Sequence, residues 1–173
     1  WIGGGEYPGL ARAPAGPAEP EYNYTLDPVA AQIIFNQSNL AFWQIPRNAF
    51  RQMMVGMAEF EEVGQTGALG SYLHGEVVAA ERRLAPLLPP HIFTPGEIYM
   101  LGDTALVTLT ALRTAFQPDA ASSHYEMRPC PLLNQDGSYQ ANPDGRPIRI
   151  YTEMDGNLTW RDFTAKLRRA AQG

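Results

Sequence analysis

The chain has 173 residues, 45% hydrophobic and 18% charged, which is enough apolar material for one domain with a buried core and too much for a disordered chain. Its net charge of −5 at pH 7 lacks the basic footprint that binds a phosphate backbone, so nucleic acid is not an expected partner. Cys130 is the lone cysteine, which excludes an internal disulfide framework and a cysteine-built zinc site, and no apolar run reaches the ~18 residues of a membrane span.

In chain order, Trp1-Ile-Gly-Gly-Gly reads as the end of a buried strand entering a turn. The sequence is therefore expected to open inside a core, with that strand lying next to one the sequence does not contain. Residues 5–22 include Gly5, Pro8, Gly9, Pro14, Gly16, Pro17 and Pro20, a composition that predicts a loop. Asp27-Pro28 predicts a helix start, the aspartate as cap and the proline in the first turn, with Ala30, Ile33 and Ile34 on its apolar side. Leu40–Ile45, ended by Pro46, has the pattern of a buried strand in an α/β sheet. From Thr66 to Leu88, residues Leu69, Leu73, Val77, Ala80, Leu84 and Leu87 recur at helical spacing up to Pro89-Pro90.

Asp103 begins another helix, expected to run largely buried to Phe116. Further on, Ile148, Ile150, Thr152 and Met154 alternate with Arg149, Tyr151 and Glu153, the period of a half-buried strand. Asp136-Gly137 and Asp144-Gly145 mark turns, so residues 128–155 are expected to form an antiparallel pair. Thr159-Trp-Arg-Asp162 has the form of a capping box before a last helix bearing Trp160, Phe163 and Leu167. The order is α/β first, with a strand pair and a helix last.

Polar residues gather at Glu19, Glu21, Asn23 and Asp27, between the Pro/Gly loop and a helix start. Loops feeding helices at the carboxyl end of a sheet are where open α/β folds bind ligands. In an extended segment Glu21 and Asn23 would point to one side, and a carboxylate beside an amide suits the paired hydroxyls of a sugar. The alternative is a solvated loop with a helix cap. Asp103, in Tyr-Met-Leu-Gly-Asp-Thr, is open to two roles: helix cap, or carboxylate ligand of a hard cation such as calcium or magnesium.

Trp1-Ile-Gly-Gly-Gly, Glu21-Tyr-Asn23 and Asp27-Pro-Val-Ala-Ala31 together resemble the nucleoside hydrolase family, inosine–uridine-preferring type. In that family a strand ending in Gly-Gly is followed by a loop, Glu-Phe-Asn and Asp-Pro-Glu-Ala-Ala. Leu101-Gly102-Asp103 falls where the family has Leu-His-Asp, and the segment from Asp155 to Phe163 is similar to the family's C-terminal end. The resemblance covers nearly all of this chain and the second half of such an enzyme. It implies an open, mostly parallel sheet with flanking helices plus a C-terminal antiparallel strand pair and helix, as the C-terminal part (residues 1–173) of a single domain.

The function implied is hydrolysis of the N-glycosidic bond of ribonucleosides, with a calcium ion that activates the water and binds the ribose diol. Asp103 is then a calcium ligand, Glu21 and Asn23 hold ribose hydroxyls, and Asp27 caps the following helix. The family's Asp-rich metal motif has no counterpart in these residues, and Gly102 stands in place of the histidine that protonates a purine. Ala15 and Ile2 stand where the family has an asparagine and a methionine. The expected partners are a nucleoside or related glycoside, the N-terminal half of the same domain on the same or another chain, and further copies in a homo-oligomer. Nucleic acid and membrane are not expected, and the expected location is cytoplasmic.

Of the histidines, His91 is the better candidate to reach such a site and His124 the weaker, while His74 reads as a helix residue. Tyr72 and Tyr99 could stack on a base, although tyrosines near a core are more often packing residues. Asn23, Asn36 and Asn157 each fit a glycosylation sequon, a pattern common by chance. The competing function is a non-catalytic nucleoside hydrolase-like binding or structural protein.

Overall fold

The computed structural model describes residues 1–10, 20–87, 96–112, 116 and 123–173. Its elements are α1 (Tyr22–Leu26), α2 (Pro28–Gln37), β1 (Trp43–Gln44), α3 (Arg47–Phe50), β2 (Met54–Gly56), α4 (Met57–Gly64), α5 (Ala68–Leu84), β3 (Ile98–Met100), α6 (Ala105–Ala111), β4 (His124–Pro129), β5 (Leu132–Leu133), β6 (Tyr139–Gln140), β7 (Pro147–Glu153) and α7 (Gly156–Ala170). The fold is mixed α/β. It divides into two compact units, one of Trp1–Met53 with Gly102–Asp155 and one of Met54–Leu101 with Gly156–Gly173. No described helix is long and apolar enough to cross a membrane.

In the first unit the sheet order is β1-β7-β4, with β1 parallel and β4 antiparallel to β7. The strand end expected at Trp1-Ile2 is present as a single parallel bridge from Ile2 to Ile45. Ile45 donates its N–H to Trp1 O at 2.8 Å, and Gly3 donates to Ile45 O at 3.0 Å. In place of the one antiparallel pair expected of residues 128–155, the segment contributes to two, β5 with β6 across the Asp136-Gly137 turn and β7 with β4, which starts earlier, at His124. Parallel pairing among the described residues amounts to β1 with β7 and the Ile2 bridge, while β2–β3 and β5–β6 are antiparallel.

Strand β7 is buried on both faces and not on one. Ile148 and Ile150 pack with Tyr24, Phe35, Phe42, Cys130 and Leu133, whereas Tyr151 packs in a second cluster with Ile2, Ile45, Ala49, Met53, Ala105, Leu109 and Met154. A middle strand lying between two clusters loses the simple in–out alternation.

Three local expectations are corrected. The helix that follows Asp103 ends at Ala111, not near Phe116, and buries Ala105, Thr108 and Leu109 while Leu106, Val107 and Phe116 are exposed. Its apolar composition exceeds the face it has to cover. Helix α7 starts at Gly156, directly after Asp155, a favoured capping residue type, so Thr159 is a buried helical residue and not a cap. Glu21 is extended, but Asn23 lies inside α1, so the two are not alternate residues of one extended run.

The second unit packs α4, α5 and α7 around Phe60, Val63 and Leu167, with Leu73, Val77, Leu101, Trp160 and Phe163 against them. Leu69 and Tyr72 of α5 are exposed, so that helix uses a narrower stripe than its sequence offers. The helix stop expected at Pro89-Pro90 lies outside the described residues, as do Glu19, Ala15 and His91.

Candidate functional site

Glu21 and Asn23 sit at the end of the Trp1–Gly3 strand, where the chain turns through Gly4 and Gly5. That turn is held by a buried polar network. Gln44, fully buried, donates from Nε2 to Gly3 O and to Tyr139 Oη, both at 2.9 Å, and its Oε1 accepts from Tyr7 Oη at 2.6 Å. Tyr139 donates to Gly5 O at 3.2 Å, and its ring stacks on Tyr7 with centroids 4.3 Å apart. Burial pushes the Tyr139 phenol up to about 12 and raises that of Tyr7 as well, so both stay protonated as donors at neutral pH. Gly4 has φ +86°, and a Cβ there would lie 2.2 Å from Tyr139 Oη, so only glycine fits.

On the other side of the turn, Arg47 donates its backbone N–H to Gly4 O at 3.1 Å and grips Glu6 with two side-chain bonds of 2.8 and 2.6 Å. That guanidinium holds the Glu6 carboxyl below the usual carboxylate range, against an opposing contribution from burial. A lone amide in an otherwise apolar strand was the sequence signal for this network. A buried Gln must find partners, but nothing local says which.

Glu21 accepts from three backbone amides: Gly4 N at 2.7 Å, Asn23 N at 2.9 Å and Tyr24 N at 3.0 Å. It is at once the N-cap of α1 and a clamp on the glycine turn. Asn23 donates from Nδ2 to Ile2 O at 3.0 Å, and its carbonyl oxygen makes no hydrogen bond among the described residues. Asn23 and Asp27 line an open groove of about 420 Å³, bordered by Trp1, Ile34, Leu40 and Phe42. Asp27 caps α2 through Ala30 N at 2.9 Å, as expected.

Asp103 lies exposed in the 3₁₀ turn Gly102–Thr104 that leads into α6, and makes no hydrogen bond or ion pair among the described residues. It therefore does not act as the cap, and Thr104 at the cap position makes no side-chain capping bond. Ala105, two residues on, packs in the cluster that contains Ile2, so the Asp103 turn and the glycine turn adjoin one core. No hydrogen bond or ion pair joins Asp103 to Glu21 or Asn23 among the described residues. Gly102 is buried, and a Cβ there would fall 2.0 Å from the Phe50 ring.

This architecture is similar to a nucleoside hydrolase. The crystal structure of the inosine–uridine-preferring nucleoside hydrolase from Bacillus anthracis matches 96% of this chain with a TM-score of 0.50 and 15% identity, which is a likeness of fold. The match covers 50% of that protein, so this chain spans about half its length. No family model matches the sequence, and no curated protein does.

Calcium takes ~6–8 oxygen ligands. Among the described residues no group of three His, Cys, Asp or Glu comes together that could hold a metal ion, so Asp103 by itself does not fit that ion. His124 is exposed on β4, 4.0 Å from Glu153. His74 lies on α5 beside Phe60 in the second unit, where its buried Nε2 has no partner among the described residues. Tyr99 pairs with Val55 in the β2–β3 ladder, and Tyr72 is exposed. Asn36 spends its side chain on both backbone groups of Leu133.

Proposed function

We propose that this chain is the C-terminal portion of a hydrolase that cleaves the N-glycosidic bond of ribonucleosides. The open, mostly parallel sheet of such enzymes would be completed by an N-terminal half on the same or another chain. The observation that supports this reading is the joint between Glu21, Asn23 and the Gly3–Gly5 turn, on a fold similar to half of a nucleoside hydrolase. The carboxylate has about four lone-pair sites, three of them used by amides, and the Asn23 carbonyl is open. The pair therefore retains acceptors for the hydroxyls of a ribose, while the amides fix where those acceptors stand.

Asp103 enters the proposal as one carboxylate ligand of a calcium ion whose other ligands lie beyond these residues. The donor set among the described residues does not by itself hold that ion. A homo-oligomer and a cytoplasmic location belong to the same proposal. The test is ribose release from a panel of nucleosides by the natural polypeptide, with calorimetry for calcium. Asp103→Asn is expected to lower kcat/KM by about 100-fold or more, the scale of losing a charge-stabilising group in an active site. Unchanged turnover in that variant would overturn the reading.

One observation favours a non-catalytic binding or structural protein of the same fold. Phe50 occupies the space beside Gly102, where a protonating side chain would have to be. A folded natural polypeptide that neither binds calcium nor releases ribose would establish this second reading.

A further inference from the structure

The stretch from Pro28 to Pro46 contains no Asp, Glu, Lys or Arg. A helix without a charged face ordinarily belongs to an interior. Yet α2 buries only Phe35 of its ten residues, and Val29 is 65% and Ile33 46% exposed. Tyr22 and Leu26 of α1 and Leu40 beyond α2 are exposed as well. Leu40, with Ala30 and Ile34 of α2, edges the groove of about 420 Å³, whose walls include Trp1, Phe35 and Phe42. Those three side chains belong to, or pack on, the cluster around Ile148 and Ile150, so the core itself reaches the surface here. An apolar groove that opens onto a core, beside a helix with no charged residue, resembles an obligate interface, a core cut in half.

We propose that the face formed by α1, α2 and the groove beside Trp1 seats the remaining part of the same α/β fold, an apolar strand-and-helix segment outside these 173 residues. The occupant is inferred from the fold match, in which nearly all of this chain accounts for half of the solved hydrolase and a complement of similar size remains. The face also adjoins the Trp1–Gly3 strand, whose described backbone pairing is with β1 and its flank on one side while Asn23 alone holds Ile2 O. The seat deepens the proposed function but rests on its fold and not on its chemistry, so it stands even where no nucleoside is hydrolysed.

Benzoylphenylalanine placed at Ala30 or at Leu40, exposed residues that line the groove, in the natural protein, photolysed and mapped by mass spectrometry, tests it. Cross-links to residues outside 1–173 are expected. Hydrogen exchange of peptide 28–37 in the unsubstituted protein is expected to be at least about tenfold slower than in an exposed helix. Cross-links confined to residues 1–173, within one copy or to a second, overturn the proposal. So does the absence of cross-links together with fast exchange of α2.

Discussion

At Gly102, what decides the residue is its neighbour. The Phe50 ring lies where a Cβ would be, and it packs on the cluster of Ile2, Ile45 and Ala105, so it has little room to retreat. Overpacking of this kind costs ~1–3 kcal/mol. Gly102→Ala is therefore expected to lower stability to urea within that range, and Phe50→Leu in the same chain to recover part of the loss. Strictly additive effects in that double-mutant cycle would show that the ring does not fill the space. Placing a histidine at 102 would for the same reason require changing Phe50 as well.

Glu6 contributes to the pH dependence of stability. Its carboxyl is held below its ordinary value of 4.5 by Arg47, with Arg51 3.8 Å away adding to the effect. The folded chain thus binds this proton less readily than the unfolded chain. Its contribution is complete above about pH 4.5 and is lost as the pH falls through the lower, folded value. Urea midpoints measured from pH 7 downward should fall below that point, and Glu6→Gln should start lower at pH 7 and descend less steeply. Parallel pH curves for the two proteins would remove Glu6 from the account.

Among the elements, the β5–β6 hairpin does most to place the candidate site. Its turn is closed by Asn134 N to Ser138 O at 2.9 Å, with Gly137 at φ +81°. Tyr24 of α1 donates to Gln135 O at 2.7 Å, Asn36 of α2 brackets Leu133, and Tyr139 reaches the glycine turn. One short hairpin thereby ties α1, α2 and the Gly3–Gly5 turn together. Tyr139→Phe leaves Gln44 with an unpaired buried donor, which costs ~1–3 kcal/mol. The same change should speed amide exchange at Gly4 and Gly5, as read by NMR. Unaltered exchange there would mean that the hairpin does not hold the turn.

The turn at Asp136-Gly137, the Asp27 cap and the β1 region were legible because each is written in a few adjacent residues. The Gln44 network was not, because its partners stand 37, 41 and 95 positions away. Glu21 shows the same limit from the other direction. Glutamate is not a favoured N-cap, so its pattern pointed to a ligand, and only the long-range bond to Gly4 reveals the structural work of that carboxylate.

For the whole molecule, the division into two units has an energetic meaning. The clusters of the first unit and the cluster around Phe60, Val63 and Leu167 share no residue, and the second unit is assembled from one chain segment between the two of the first and one that follows them. Each unit therefore has its own source of apolar burial, and losing one core need not empty the other. Phe60 is 2% exposed and faces both His74 and Trp160, with ring centroids 5.8 and 5.9 Å away. Phe60→Ala should cost ~3–5 kcal/mol, a large share of the ~5–15 kcal/mol that stabilises an ordinary domain. Amide exchange should rise first in α4, α5 and α7, with Ile45 and Ile150 still protected in the sheet of the first unit. An equal rise across both units would mean that the chain unfolds as one cooperative body, and the two cores would then have to be treated as a single one.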